Sequence, residues 1–440
     1  MGRSDSERVA IIGAGGAGLA TAQALRARDV PFTVFEAGSG LGGNWRYAND
    51  SGHGSAYESL RTNTSRGNTS FRCFPIGRGP TYPHHTEMLA YLEAFADHFE
   101  LRPDIRFATP VKEAQPVEGG WDVTTDEGPE RYRAVVVAVG YNSEPRVPEL
   151  PGRFDGLIQH THDYRTPEPF AGKDVVVVGL GCSAGELACE VRTVARSVTV
   201  AARSGAWVIG RRIGPLPMDR LDTRAASRLP WSVRRRMFAP LVRLSGGRQG
   251  PAGIPTPPGR VGDKPLCVSD ELVGAVRRKE IEIASHVVEL LGDRVRLADG
   301  TDRPAQALLL GTGYQASFPF LPPETAPPSL EEAPLYRGIA SLSADGLFYV
   351  GLVYGLGPLI PMFEAQANWL GEHLAGRLAL PSREVMITSV ERDAEVRRRN
   401  FDPRFGLYWD RIPYTRSLER EARAARRRPG VRRTASAATT

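Results

Sequence analysis

The chain holds only four cysteines in 440 residues: Cys73, Cys182, Cys189 and Cys267. None stands in a CxxC pair, which excludes the common zinc spacing and the common redox dithiol. Free thiols suit a reducing compartment. No apolar run approaches the ~18 residues of a membrane-crossing helix. No secretory leader precedes the first apolar strand, so a cytoplasmic location is expected. Met1, Gly2 and Ser6 fit a myristoylation pattern, but no second anchor signal accompanies them. Two glycosylation patterns, at Asn63 and Asn68, would require secretion. No metal is expected: His84 and His85 are adjacent and point apart, with no ligand set around them. Lysine is scarce, with four against 56 basic residues in all. From Arg416 onward, eight arginines and two glutamates carry the whole net charge of +6. The body is therefore neutral, and no nucleic-acid-binding surface is expected. The basic end, residues 416–440, reads as a frayed helix running into disorder.

Glycine is plentiful, with 47 residues, and it punctuates two nearly parallel stories. Arg8-Val9-Ala10-Ile11-Ile12 reads as a short apolar strand that runs into Gly13-Ala14-Gly15-Gly16-Ala17-Gly18 and an alanine-rich helix. A second strand, residues 32–35, ends at Glu36. Strand, GxGxxG, helix, strand and acid make a dinucleotide fingerprint. Gly13 gives the tight turn, Gly15 the close approach to a pyrophosphate, and Gly18 the helix–strand packing. The acid accepts hydrogen bonds from ribose hydroxyls and repels a 2′-phosphate, so this site suits FAD or NAD.

Residues 174–178 begin the second unit. They lead into Gly179-Leu180-Gly181-Cys182-Ser183-Ala184, a GxGxxA variant. Its second strand, residues 197–202, ends not at an acid but at Arg203 and Ser204. A guanidinium and a hydroxyl there suit a 2′-phosphate, so this site prefers NADPH. One chain with an acid for a plain ribose and an arginine for a phosphorylated one points to hydride passing from NADPH to FAD.

At this point the chain resembles the flavin-containing monooxygenases. The resemblance runs from Arg8 to about Tyr414. Its most specific element is Phe154-x-Gly156-x-x-x-His160-x-x-x-Tyr164-Arg165. Further segments are Gly42-Gly43-Asn44-Trp45, Tyr57-x-Ser59-Leu60-x-Thr62-Asn63, Thr312-Gly313-Tyr314, Leu356-Gly357-Pro358 and Glu364-x-Gln366-Ala367-x-Trp369. The resemblance implies a C4a-hydroperoxyflavin that oxygenates a soft nucleophile, an amine nitrogen or a sulfide sulfur, with O₂ and a small molecule as partners. It implies Asn63 as the active-site asparagine. It brings Gly43, Trp45, Val111, Thr312, Gly313 and Gln366 to the cofactors, and makes His160, Tyr164 and Arg165 linker residues rather than an acid–base set. Val139 stands where the family often has Thr, and Ala184 closes the second fingerprint. The basic end replaces the apolar anchor of animal members, which resembles a soluble bacterial-type protein. Rival readings are a Baeyer–Villiger ketone oxygenase, an uncoupled NADPH oxidase, and a non-catalytic flavoprotein that holds a partner by its basic end. A homodimer is left open.

The expected fold is α/β, two Rossmann-like units in a glutathione-reductase-like arrangement. The FAD unit spans residues 1–152 and 300–415. The NADP unit, 153–299, sits between them with an insertion at about 212–264. The apolar run at 305–310 is expected to return to the FAD sheet.

Overall fold

The computed structural model describes residues 7–245, 249–257, 259–329, 332–355, 357–402 and 406–427. The myristoylation pattern at Met1-Gly2, Leu356 and the basic stretch 428–440 lie outside the described residues. The helices used below are α1 (Gly16–Arg26), α2 (His85–His98), α3 (Cys182–Val191), α4 (Trp231–Ser245), α5 (Leu272–Arg277), α6 (Ile360–Leu374), α7 (Arg383–Asn400) and α8 (Arg411–Arg427).

The FAD unit is built on a seven-stranded sheet. Val9–Ile12 lies near its middle, between Phe32–Phe35 and Ala134–Val137, parallel to both. All twelve residues of these strands are buried, as suits a sheet covered on both faces. Leu347–Tyr349 joins the far side of Ala134–Val137 in parallel, after more than two hundred intervening residues. Helices α1 and α6 pack face to face. Gly371 permits this approach, since a Cβ there would meet Ala24 O at 3.2 Å and Arg28 Cδ at 3.1 Å.

The second sheet has five parallel strands in the order Leu157–His160, Ala307–Leu310, Asp174–Val178, Ser197–Ala202, Glu282–Ser285. Here the expectation for residues 305–310 is corrected. Ala307–Leu310 does not return to the FAD sheet but joins this one between Leu157–His160 and Asp174–Val178, with Leu308 facing both Ile158 and Val176 across the ladder. Four apolar residues announce a buried strand, but only long-range register chooses its sheet. The NADP unit therefore runs through residue 310. The two chain crossings then lie side by side, Glu144–Pro145 antiparallel to Tyr314–Gln315.

Helix α2 starts at His85, and its cap is His84. The His84 Nδ1 accepts from Thr86 N–H, and Glu87 accepts from His84 N–H at 3.0 Å. More consequential is α8, which continues from 411 to 427 where a loose tail was expected. Leu418, Ala422 and Ala425 are buried along one stripe of it against α6. Glu372 on α6 is fully buried and joins three helices: Arg28 Nε at the end of α1 donates to it at 2.8 Å, and Arg426 of α8 at 2.5 Å.

The insertion is ordered around its own small core of Ile209, Met218, Val242 and Val261. Helix α4 begins at Trp231 and carries Pro240 within it. Among the described residues no helix is long and apolar enough to cross a membrane, and no group of three or more His, Cys, Asp or Glu side chains could hold a metal ion.

Candidate active site between the two nucleotide units

A single cavity of about 770 Å³ reaches from the start of α1 to the start of α3. Gly13, Gly15, Glu36, Gly43, Trp45, Asn63, Val111 and Ser183 line it.

At its FAD end the backbone has the shape that a pyrophosphate needs. Gly13 has φ +103°, and a Cβ there would stand 2.8 Å from Ala138 O. A Cβ on Gly18 would stand 1.8 Å from Gly13 O, so only glycine lets α1 lie this close to its strand. The Glu36 carboxylate accepts Ala14 N–H at 2.7 Å and Gly38 N–H at 2.9 Å. Burial raises its pKa against these two bonds. The carboxylate is thus fixed at the cavity edge, with lone pairs left for ribose hydroxyls. These features fit an FAD dinucleotide.

The NADP end repeats the construction with one change. Gly179 has φ +113°, and a Cβ there would stand 2.4 Å from Gly311 O. Gly181 caps α3 with open space around it, and Ser183 faces the cavity. Ala184, in place of the third glycine, is accommodated by Gly311, whose own Cβ would meet that of Ala184 at 2.5 Å. Arg203 and Ser204 stand exposed just past Ser197–Ala202, away from the cavity wall. Arg203 has no ion pair among the described residues. The two residues are free to meet a phosphate, so this end fits an NADP dinucleotide.

Asn63 sits between these ends, and its loop is tied down on several sides. Helix α3 presents two glutamates one turn apart. Glu186 accepts from Tyr57 Oη at 3.1 Å, and Glu190 from Ser59 Oγ at 2.7 Å. Leu60 packs into the core of the NADP unit. Glu58 N–H donates to Arg165 O, and Ser65 Oγ to Asp219 of the insertion at 2.7 Å. The Tyr57-to-Asn63 segment is therefore a docking strap that carries the asparagine to the boundary between units.

Arg211 decides which way that asparagine faces. Its guanidinium is held by Glu186 and by Asp270 at 3.2 Å, and it donates to Asn63 Oδ1 at 3.2 Å. Burial pushes the Glu186 carboxyl up, while the Arg211 charge holds it back. The sequence carried no signal for this residue. It is one of two consecutive arginines in a Gly-Arg-Arg-Ile stretch, and nothing in that stretch says which turns inward.

The other expected residues lie behind the wall. Gln366 is fully buried and does not touch the cavity. Its Oε1 accepts Gly351 N–H at 2.9 Å, and its Nε2 donates to Tyr414 Oη at 2.8 Å. It supports Gly351, which does line the cavity. Thr312 and Gly313 also lie off the wall. The Thr312 hydroxyl donates to Arg146 O, and Gly313 O accepts Arg146 N–H, so they clamp the crossings.

The signature around His160 is likewise structural. A Cβ on Gly156 would stand 2.3 Å from Gln306 O. Arg165 donates to Gly54 O at 3.1 Å, and Tyr164 is fully buried against Tyr57. Burial lowers the His160 pKa, and its Nδ1 accepts His162 N–H at 3.0 Å.

The outer wall comes from the insertion and the C-terminal elements. Asp222 binds Arg234 at 3.3 Å and Arg411 at 2.9 Å, and Asp410 also binds Arg234. Tyr141, Tyr354, Tyr408, Phe401 and Trp231 form a row of neighbouring rings along this wall, with centroid spacings from 4.5 to 5.7 Å. All four cysteines are free. Burial and Glu364 push the Cys73 thiol up to about 12, and burial raises Cys182, Cys189 and Cys267 as well, so none is poised as a thiolate.

Residues 6–416 match the flavin-binding monooxygenase-like family. The chain belongs to that family. It is a flavin-containing monooxygenase, an oxidoreductase that uses FAD and NADPH. The monooxygenase is 30% identical over 424 residues to the N-oxide-forming dimethylaniline monooxygenase 4 of Rattus norvegicus, covering 89% of this chain and 74% of the relative. A solved S-allyl-L-cysteine S-oxygenase from Allium sativum is 26% identical, with a TM-score of 0.69, over 94% of this chain and 88% of that one. A steroid monooxygenase solved with NADP, 21% identical with a TM-score of 0.68 over 95% and 98% of the two chains, shares the fold.

Proposed function

We propose that this monooxygenase oxygenates a soft nucleophile, the amine nitrogen or sulfide sulfur of a small and largely apolar molecule. The observation that carries the reading is the one cavity that joins both nucleotide ends, with Asn63 on the wall between them. FAD, held at the Gly13-to-Gly18 turn and Glu36, would supply the redox chemistry, with NADPH as electron donor and O₂ divided between substrate and water.

The chain's residues bind, orient and shield. Glu36 holds the ribose at the FAD end, and Arg203 with Ser204 selects the 2′-phosphate at the other. Asn63 gives its –NH₂ to the cavity, because Arg211 occupies its amide oxygen. Met218, Phe238 and Val242 of the insertion keep water from the outer wall. No side-chain nucleophile is needed, since a soft substrate brings its own electron pair. The N-oxide-forming and S-oxygenating relatives support this substrate class.

The test is a coupling measurement on FAD-loaded enzyme with NADPH, across tertiary amines, thioethers and ketones. An N-oxide or sulfoxide formed near one per NADPH is the expected result. Ester products from ketones alone would move the enzyme to the Baeyer–Villiger class. Peroxide with no product would make it an oxidase.

A further inference from the structure

Apart from the active-site cavity, five arginines line one surface depression of about 540 Å³. They arrive from three distant parts of the chain. Arg72 follows the Asn63 loop, Arg224 and Arg228 belong to the insertion, and Arg416 and Arg423 belong to α8. One carboxylate, Glu419, stands among them. It pairs with Arg72 and lies 3.8 Å from Arg423. Arg224, Arg228 and Arg416 have no carboxylate partner among the described residues.

Several crowded arginines elsewhere in this molecule are neutralised. Arg28 has Glu372, Arg234 has Asp222 and Asp410, and Arg296 has Glu289 and Asp302. Five cations around one carboxylate leave a larger excess of positive charge than at those three sites. Their mutual repulsion lowers stability until a counter-charge arrives. All five are within reach of solvent: Arg224, Arg228 and Arg416 are exposed, and the Arg72 and Arg423 side chains are 45% and 62% exposed. A guanidinium fork matches phosphate oxygens in pairs. The site is concave and assembled from three segments, which suits a compact polyanion better than a flat surface.

We propose that this depression binds a soluble anion carrying two or more linked phosphate groups. This site is independent of the amine-or-sulfide reading. Such a ligand bridges the insertion, α8 and the Arg72 loop. Its reach extends to the active site, because Asp222, two residues before Arg224, holds Arg234 and Arg411 in the cavity wall.

The experiment is titration calorimetry with inorganic tripolyphosphate. The enzyme carries FAD and is saturated with NADP⁺, so that both nucleotide ends are filled. One saturable site is expected at low salt, weakening as salt rises. Arg228→Glu and Arg416→Glu should each weaken it by roughly tenfold or more. Arg420→Glu, on the same helix but off the depression, should leave it unchanged. Retained flavin absorbance and NADPH oxidation certify each variant as folded, and Arg228→Ala and Arg416→Ala stand in for any that fails. No saturable binding, equal binding by the Arg228 and Arg416 variants, or binding only to phosphatidylglycerol vesicles would each overturn the proposal.

Discussion

Asn63 can offer only half of its amide to a reacting group, because Arg211 already holds its oxygen. Arg211 is thus a positioning residue. Its removal frees Asn63 to rotate and leaves Glu186 and Asp270 without their cation. Arg211→Ala is expected to cut product formed per NADPH by roughly tenfold, the scale of one charge-assisted hydrogen bond at about 1.5 kcal/mol or more. Peroxide should rise by the matching amount. Arg211→Lys should recover part of the coupling, since a point charge replaces the fork. A purely structural role would lower flavin content and coupling together, so flavin absorbance separates the two.

At this scale the sequence was most legible where backbone shape itself is the signal. Gly13, Gly18 and Gly179 must be glycine, and spacing alone reveals them. A motif says that a residue matters without saying which neighbour it serves: Gln366 supports Gly351, and Thr312 clamps the crossings.

Among the elements, α8 shows how composition misleads. Its arginines suggested a loose end, yet every third or fourth residue is small or apolar, and Leu418, Ala422 and Ala425 are buried. Alanine is a weak apolar marker, so the stripe is hard to see beside so much charge. Two truncations test the packed helix. Ending the chain after Arg427 should preserve flavin retention and melting temperature. Ending it after Thr415 strips Glu421 from Trp369 Nε1, a 2.9 Å bond, and opens one face of α6. Flavin should then be lost on gel filtration.

The carboxylate that joins α1, α6 and α8 gives a second check. Burial tends to raise the Glu372 pKa, but the Arg426 hydrogen bond and the Arg28 charge outweigh it and hold the group below its ordinary value near 4.5. A lowered acid stabilises the fold above that ordinary value and stops doing so as pH falls through the lowered one. Glu372→Gln should therefore destabilise by about 3–5 kcal/mol at neutral pH, since Arg28 stays buried without a counter-charge. Its melting temperature should converge on that of the parent protein only in strong acid.

For the molecule as a whole, the two fingerprints foretold two nucleotide units, and the asymmetry between Glu36 and Arg203 assigned one cofactor to each. What they could not foretell was the seam. Docking depends on Glu186 and Glu190 of one unit meeting Tyr57 and Ser59 of the other, which are pairings over more than a hundred residues. The assignment of Arg203 can be read from kinetics. Arg203→Ala should raise KM for NADPH about tenfold, the loss of one guanidinium–phosphate contact, and leave KM for NADH nearly unchanged. An equal effect on both coenzymes would remove Arg203 from the phosphate site.

The place of Ala307–Leu310 in the five-stranded sheet also has a temporal meaning. As the chain leaves the ribosome, every strand of that sheet is present once residue 310 has emerged. The seven-stranded sheet still lacks three strands, Leu335–Tyr336, Ala340–Ser341 and Leu347–Tyr349, and the three helices that close it. The nested unit can thus mature first, while the opening third of the chain waits. Once formed, it acts as a folded spacer that brings Ala134–Val137 to its late partner across a far shorter free loop than the sequence separation implies.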